Sequence, residues 1–330
     1  MIRNRRVVLA SRPSGPVSEA NFRIEEAPLP QAAEGEVLVK NLWLSLDPYM
    51  RGRMSDAKSY VKGVDLGEVM VGQTVGEVIE SRHPSLKTGD KVLTQLGWQL
   101  YGATREATKV EDARAPLTYY LGILGMPGMT AYFGLKEISQ PKPGETVVVS
   151  AASGAVGSVV GQLAKIWDCR AVGIAGGGQK CDYVKRELGF DACVDYKAAN
   201  VAEALKHACP AGIDVYFDNV GGAILDTVLT QMNLFSRVVV CGTISDYDAT
   251  EPYGLRNLRA VLVNRIRVQG MIVFDWKNRY GEALKALTGY YAAGRLKYRE
   301  SVVQGLESAP RGLIALLRGQ NFGKQLVRLG

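Results

Sequence analysis

The chain has 330 residues, 47% hydrophobic and 22% charged, with 37 glycines and 13 prolines, a globular profile long enough for about two domains. Its cysteines, Cys169, Cys181, Cys193, Cys209 and Cys241, are odd in number and lack a CxxC spacing, which excludes a disulfide-stapled fold and points to a reducing compartment. The net charge of +7 is modest and, beyond Arg3, Arg5, Arg6 and Arg12, scattered, so no nucleic-acid surface is expected.

The opening MIRNRR is followed only by Val7 to Ala10 before Ser11, Arg12 and Pro13, too short a run for a signal peptide, so a cytoplasmic protein is expected. From Glu36 to Thr108 short β-like runs (VLVKNLWLSL, GEVMVGQTVGEVIES, DKVLTQL) alternate with Gly, Pro and Asp breaks, which predicts a β-rich domain. Two uncharged stretches, 115–135 and 147–164, are long enough to tempt a membrane reading. Pro116, Pro127 and the glycines interrupt them, and no membrane span is predicted.

From Thr146 the pattern becomes strand, glycine turn, helix, strand, in repeats that predict a doubly wound parallel α/β sheet. The strands read TVVVSA, RAVGI, ACVDY, IDVYFDNV and SRVVVCGT, with a further apolar run, RIRVQGMIVF; such continuous apolar strands are expected to be covered on both faces. A helix over 279–293, a strand in YRESVV, a helix in ESAPRGLIALLRG and a closing GKQLVRL follow, and this tail is expected to return to the first domain.

The most informative local feature is TVVVSAASGAVGSVVGQLAK, an apolar strand running through Ala152, Gly154 and Gly157 into an amphipathic helix. Gly154 would let the backbone approach a pyrophosphate and Gly157 would let the helix pack on the strand, while the helix start offers N–H groups and positive dipole. Ala152 stands where the dinucleotide fingerprint has its first glycine. At the next turn, where an NAD enzyme places a carboxylate for the ribose 2′-hydroxyl, the chain has Gly176, Gly177 and Gly178, followed by Lys180. A missing carboxylate and a nearby cation favour the 2′-phosphate of NADP(H).

Other chemistries find no support. The two histidines, His83 and His207, have no Cys or carboxylate at ligand spacing, so no metal site is predicted. Tyr132 and Lys136 match a YxxxK spacing but precede the glycine loop, and are read as a chance match. Neither a GxSxG nor a Gly-Lys-Ser/Thr phosphate loop occurs.

LSLDPYMRGRM, LGMPGMTAYFGL, SAASGAVGSVVGQLAK, FDNVGG and NFGK, in this order along the whole chain, resemble the zinc-independent medium-chain reductases of the prostaglandin, leukotriene and curcumin reductase type. DPYMRGRM, Tyr60 and VMVGQTVGEVIES look nearest to the bacterial curcumin or alkenal reductase branch. The resemblance implies a GroES-like β-rich catalytic domain over 1–125, completed by 300–330, and a Rossmann NADP-binding domain over 126–299. It implies NADPH-dependent saturation of the carbon-carbon double bond of α,β-unsaturated ketones or aldehydes, and a homodimer.

Carried over by motif, Gly154, Ala155, Val156 and Gly157 would hold the pyrophosphate, and Lys180 and Tyr196 the 2′-phosphate. Asn219 in DNVGG and the segment Cys241, Gly242, Thr243, Ile244, Ser245 and Tyr247 would lie beneath the cofactor. Met271, Ile272 and Val273 would form a strand along the nicotinamide, which Asn321 of NFGK would reach. Tyr60 and Tyr253 would face the substrate carbonyl, with Tyr49 beside them; a tyrosine found in some relatives is replaced here by Val263. Two alternatives stay open: quinone reduction by the same site, and a cofactor-binding protein with a non-catalytic or nucleic-acid role.

Overall fold

A computed structural model describes residues 3–111, 113–198 and 200–330. The chain divides into two compact units, Met1–Gly122 with Glu300–Gly330, and Ile123–Arg299.

The first unit begins with strands β1 (Arg3–Leu9) and β2 (Phe22–Pro28), an antiparallel pair. β3 (Val37–Ser45), β4 (Thr74–Ser81), β5 (Lys91–Thr94), β6 (Tyr101–Thr104) and β7 (Thr108–Lys109) follow, with a short helix α1 (Tyr49–Arg53) after β3. Alternation along β3 serves two cores: Val37 and Val39 pack with Val78, Leu86 and Val92, while Leu44 joins Met50, Met54, Met70 and Trp98. Phe22 stacks on Trp98 with ring centroids 5.3 Å apart.

The second unit opens with α2 (Met126–Phe133) and β8 (Thr146–Ser150), a wholly buried strand of four β-branched residues and Ser150. It continues α3 (Gly157–Ile166), β9 (Arg170–Ala175), α4 (Gly178–Arg186), β10 (Ala192–Asp195), α5 (Val201–Ala208), β11 (Ile213–Asp218), α6 (Gly222–Leu229), β12 (Met232–Val240), α7 (Arg259–Val263), β13 (Arg267–Gly270) and α8 (Tyr280–Ala292). The six strands form one parallel sheet in the order β10-β9-β8-β11-β12-β13. The chain works outward from β8 to one edge, then returns to β11 and works to the other, so strand order reverses between β8 and β11.

The tail supplies β14 (Glu300–Gln304), α9 (Ala309–Leu317) and β15 (Lys324–Arg328) to the first unit, β15 pairing antiparallel with β3. The joint is pinned by a buried ion pair: Lys324, 1% exposed, donates to Asp47 Oδ1 at 2.6 Å and to the Leu46 carbonyl at 2.9 Å. Ser45 Oγ donates to the other Asp47 oxygen.

One predicted strand is corrected. RIRVQGMIVF does not run on as a buried strand: β13 ends at Gly270, all four of its residues are exposed, and Val273–Arg279 winds into a 3-10 helix. Trp276 stacks on Phe133 of α2 with centroids 5.8 Å apart, and this contact draws the chain out of the sheet despite its β-favouring composition. Among the described residues no helix is long and apolar enough to cross a membrane.

Candidate functional site

In the second unit the six parallel strands end side by side, and each carboxyl end carries part of the predicted cofactor set. β8 ends at Ser150 and leads into the glycine loop. Ala151 takes the left-handed backbone conformation at φ 51°, a strained state for a residue with a Cβ. The Ala151 carbonyl then accepts the Gly154 N–H at 2.8 Å. A Cβ on Gly157 would lie 2.3 Å from that carbonyl oxygen, so the turn into α3 closes only around glycine. Gly154, Ala155 and Val156 are half-exposed, leaving this backbone open to a ligand at the helix start.

β9 ends at Ala175 and passes through Gly176 to Gly178 into α4, where Lys180 lies in the first turn. β10 ends at Asp195, followed by Tyr196 and Lys197. These turns are joined by Asp195 Oδ1, which accepts the Gly177 N–H at 2.8 Å and the Lys197 N–H at 3.0 Å. A Cβ on Gly176 would lie 2.7 Å from the Tyr196 hydroxyl, so that hydroxyl sits directly over the glycine turn. Burial, with Lys197 nearby, holds the Lys180 ammonium below the usual lysine range. Lys180 and Lys197 thus lie on two turns joined by Asp195 and feel one another's charge.

β8 and β11 are clamped at the reversal of strand order. Asn219 Nδ2 donates to the Ser150 carbonyl at 2.8 Å, and Ser150 Oγ accepts the Asn219 N–H at 2.8 Å. Asp218, fully buried, accepts from Ser150 Oγ at 3.1 Å, Tyr216 Oη at 2.8 Å, and the Val220 and Gly221 amides at 3.0 Å each. Burial pushes its carboxyl above the ordinary aspartate range even against these donors. Its backbone carbonyl accepts the Cys241 N–H at 2.8 Å, and Ser245 Oγ donates to the Val220 carbonyl at 2.7 Å, so the turns after β11 and β12 form one ledge. Gly242 faces the Asn219 carbonyl and the Tyr247 hydroxyl across this ledge, which also carries Thr243 and Ile244. Met271 and Ile272 follow β13, and Val273 opens the 3-10 helix after it.

The remaining predicted residues lie elsewhere. Asn321, Tyr49 and Tyr60 belong to the first unit. Asn321 Nδ2 donates to the Gly323 carbonyl at 2.7 Å within its own turn. Tyr49 starts α1 and packs against the core around Met50; burial pushes its phenol well above the ordinary range, and Asp47 and Tyr60 act in the same direction. Tyr60 is 58% exposed. Tyr253, in the second unit, has its hydroxyl 3.4 Å from Asp226 Oδ2, and Asp226 fixes the same loop through the Arg256 and Asn257 amides at 2.9 and 2.8 Å.

Tyr132 and Lys136 are both engaged by Glu282 of α8, Tyr132 Oη at 3.0 Å and Lys136 by an ion pair. Among the described residues no group of three His, Cys, Asp or Glu side chains could hold a metal ion.

Sequence reasoning missed Asp195, Asp218, Ser150 and Lys197. The two aspartates adjoin Tyr196 and Asn219 in VDYK and DNVGG, and the only signal for them was that each closes a strand.

The second unit fits a dinucleotide with a 2′-phosphate on three observations: a glycine turn with no room for a Cβ, half-exposed backbone at a helix start on the strand-reversal edge, and Lys180 on the turn over which the Tyr196 hydroxyl sits.

Comparison with known proteins agrees over the whole length. Residues 5–111 match the family described as the N-terminal domain of oxidoreductase, and residues 155–289 the family described as zinc-binding dehydrogenase. The chain is 49% identical to the NADPH-dependent curcumin reductase of Escherichia coli, covering 99% of this chain and 97% of that protein. It is 44% identical to the NADP(+)-dependent 2-alkenal reductase of Nicotiana tabacum, at 99% and 97% coverage. The crystal structure of CurA from Vibrio vulnificus in complex with NADPH superposes with a TM-score of 0.94 at 48% identity, covering 99% of each chain.

Proposed function

Because the chain belongs to the curcumin and prostaglandin reductase family of the medium-chain dehydrogenase/reductases, we propose how its own residues carry out NADPH-dependent reduction of a conjugated carbon-carbon double bond. The protein is an NADPH-dependent double-bond reductase acting on small conjugated carbonyl compounds. The observation that carries the assignment of residues is the shared edge: the glycine loop, the Lys180 turn, Tyr196, Asn219 and the 241–247 ledge all follow the carboxyl ends of adjacent parallel strands.

NADPH, when bound, supplies the hydride. The residues of the chain bind and orient. The Gly154 to Gly157 backbone would hold the pyrophosphate and Lys180 and Tyr196 the 2′-phosphate, and Asn219, Cys241 to Tyr247, Met271 to Val273 and, in the first unit, Asn321 are the further residues proposed to bind the cofactor. Hydride arriving at the β-carbon pushes charge onto the carbonyl oxygen, which a preorganised hydroxyl stabilises. Tyr60 and Tyr253 are the proposed donors, and Tyr49 is the third tyrosine of the proposal; Asp226 orients the Tyr253 ring through its hydroxyl. Burial raises the Tyr49 phenol further above the ordinary tyrosine range.

The test is turnover of NADPH and NADH against an aliphatic enone, an enal, a diarylheptanoid, a quinone and a saturated ketone. Consumption of NADPH with the conjugated carbonyls but not the saturated ketone is expected, with a drop in kcat for Tyr253→Phe or Tyr60→Phe. Turnover of the saturated ketone, or unchanged kcat in both variants, would overturn the assignment of the tyrosines.

A cytoplasmic homodimer completes the proposal. β13 is an edge strand with all its residues exposed, an unpaired edge of the kind that strand pairing between copies covers, and the exposed Phe235 (67%) and Leu262 (77%) lie on β12 and α7, the elements before it in the chain. Light scattering is expected to give twice the chain mass; a monomer would refute this.

A further inference from the structure

Two of the five cysteines meet. The Cys193 thiol donates to Cys181 Sγ across 2.9 Å, whereas a disulfide bond is about 2.05 Å long. Cys181 is the fourth residue of α4, directly after Lys180, and Cys193 is the second residue of β10, three before Tyr196. The sulfur pair therefore spans the same two elements that present the lysine and the tyrosine hydroxyl at the glycine turn. β10 is the outer strand of the sheet and Cys193 is half-buried there, while Cys181 is buried.

The other cysteines lack this arrangement. Cys169 donates to the Lys142 carbonyl at 3.3 Å, and burial pushes the Cys169 and Cys209 thiols up to about 11 and Cys241 to about 12, which keeps them protonated. At Cys181 the hydrogen bond from Cys193 acts the other way and holds the thiol below its ordinary value, favouring a thiolate that its partner has already approached.

We propose that Cys181 and Cys193 form a reversible disulfide under hydrogen peroxide, and that this bond weakens NADPH binding by displacing Lys180 and Tyr196. The second half rests on the 2′-phosphate site proposed above. In the first step one sulfur, its proton lost, attacks a peroxide oxygen; the O–O bond breaks, hydroxide leaves and is protonated to water, and a sulfenic acid remains. The second sulfur then attacks the sulfenic sulfur, its own proton and the departing hydroxide leaving as water. Two thiols and one peroxide give one disulfide and two waters, the sulfurs losing two electrons and the peroxide gaining them.

Closing the gap by roughly 0.9 Å draws the first turn of α4 against β10 and disturbs the Asp195 bond to Gly177 that sets the turn. A displacement near 1 Å at a positioning group costs up to about a hundredfold, so a rise in the KM for NADPH of about tenfold is expected, with little change for NADH.

The experiment treats the whole protein with hydrogen peroxide, alkylates free thiols, and maps peptides while fitting KM for NADPH and NADH before oxidation, after it, and after dithiothreitol. Expected are a linked Cys181–Cys193 peptide, the selective rise for NADPH, reversal by dithiothreitol, and insensitivity of Cys181→Ser and Cys193→Ser. Absence of the linked peptide overturns the disulfide. A linked peptide with unchanged KM for NADPH overturns the coupling, and reduced Lys180→Ala separates the causes: a loss there leaves the site reading standing, while no loss removes both.

Discussion

Lys180→Ala isolates the 2′-phosphate contribution. A hydrogen bond to a charged group contributes about 1.5–3 kcal/mol, and Lys180 is half-buried, which keeps water from screening it. Lys197 remains near the turn and retains part of the attraction, so the lower half of that range applies. A loss of about 1.5–2 kcal/mol corresponds to a roughly 10- to 30-fold increase in the Kd for NADPH. NADH, which carries no 2′-phosphate, is expected to bind the variant as it binds the wild type. The unliganded variant should also keep its Tm, because burial and Lys197 disfavour the Lys180 charge in the free protein. Fluorescence titration with both cofactors reads the result, with thermal melts beside it. Equal losses for NADPH and NADH would show that the substitution acts on a contact both cofactors share rather than on the 2′-phosphate, and an unchanged NADPH Kd would remove Lys180 from the site.

Gly157→Ala places a Cβ 2.3 Å from the Ala151 carbonyl oxygen and 3.0 Å from Ala152 Cα, both backbone, so the loop itself must move. Both cofactors are expected to lose affinity together, about tenfold or more, by the same titration. Asp47→Asn leaves Lys324 buried without its counter-charge; breaking such a pair costs about 3–5 kcal/mol, and a Tm lowered by about 6 °C or more is expected by calorimetry. Glu282→Gln tests the Tyr132, Lys136 and Arg279 cluster. Hydrogen bonds from Lys136 and Arg279 lower the Glu282 carboxyl from 4.5 to about 2. A carboxyl depressed in the folded state contributes stability that is complete above pH 4.5 and lost as the pH falls towards 2. The Tm gap between wild type and variant is therefore expected above pH 4.5 and should close by pH 2 in melts at matched ionic strength.

Features that sit on a short span of chain were legible. The β-branched run of β8, the glycine turn after it and the missing carboxylate before Lys180 all lie within 35 residues, 146–180, and local physics decides them. What escaped depends on pairings the sequence does not juxtapose. Asp47 and Lys324 are 277 residues apart, and each reads as an ordinary charged residue until β15 lies beside β3. Asp195 and Asp218 look like solvated turn acids, yet each spends its carboxylate on backbone amides that shape the site edge. The break after Gly270 is set by Trp276 stacking on Phe133, a contact that outweighs the strand preference of MIVF. Cys181 and Cys193 likewise read as buried apolar residues, because only the packing of α4 on β10 brings their sulfurs together.

The most direct test of the account is the position of the transferred hydrogen. The enzyme is given a conjugated enone and NADPH deuterated at the transferring carbon of the nicotinamide, and the product is read by NMR and mass spectrometry. A saturated ketone with deuterium on the former β-carbon is the predicted result. An allylic alcohol with deuterium on the former carbonyl carbon would contradict double-bond reduction and with it the proposed placement of the substrate.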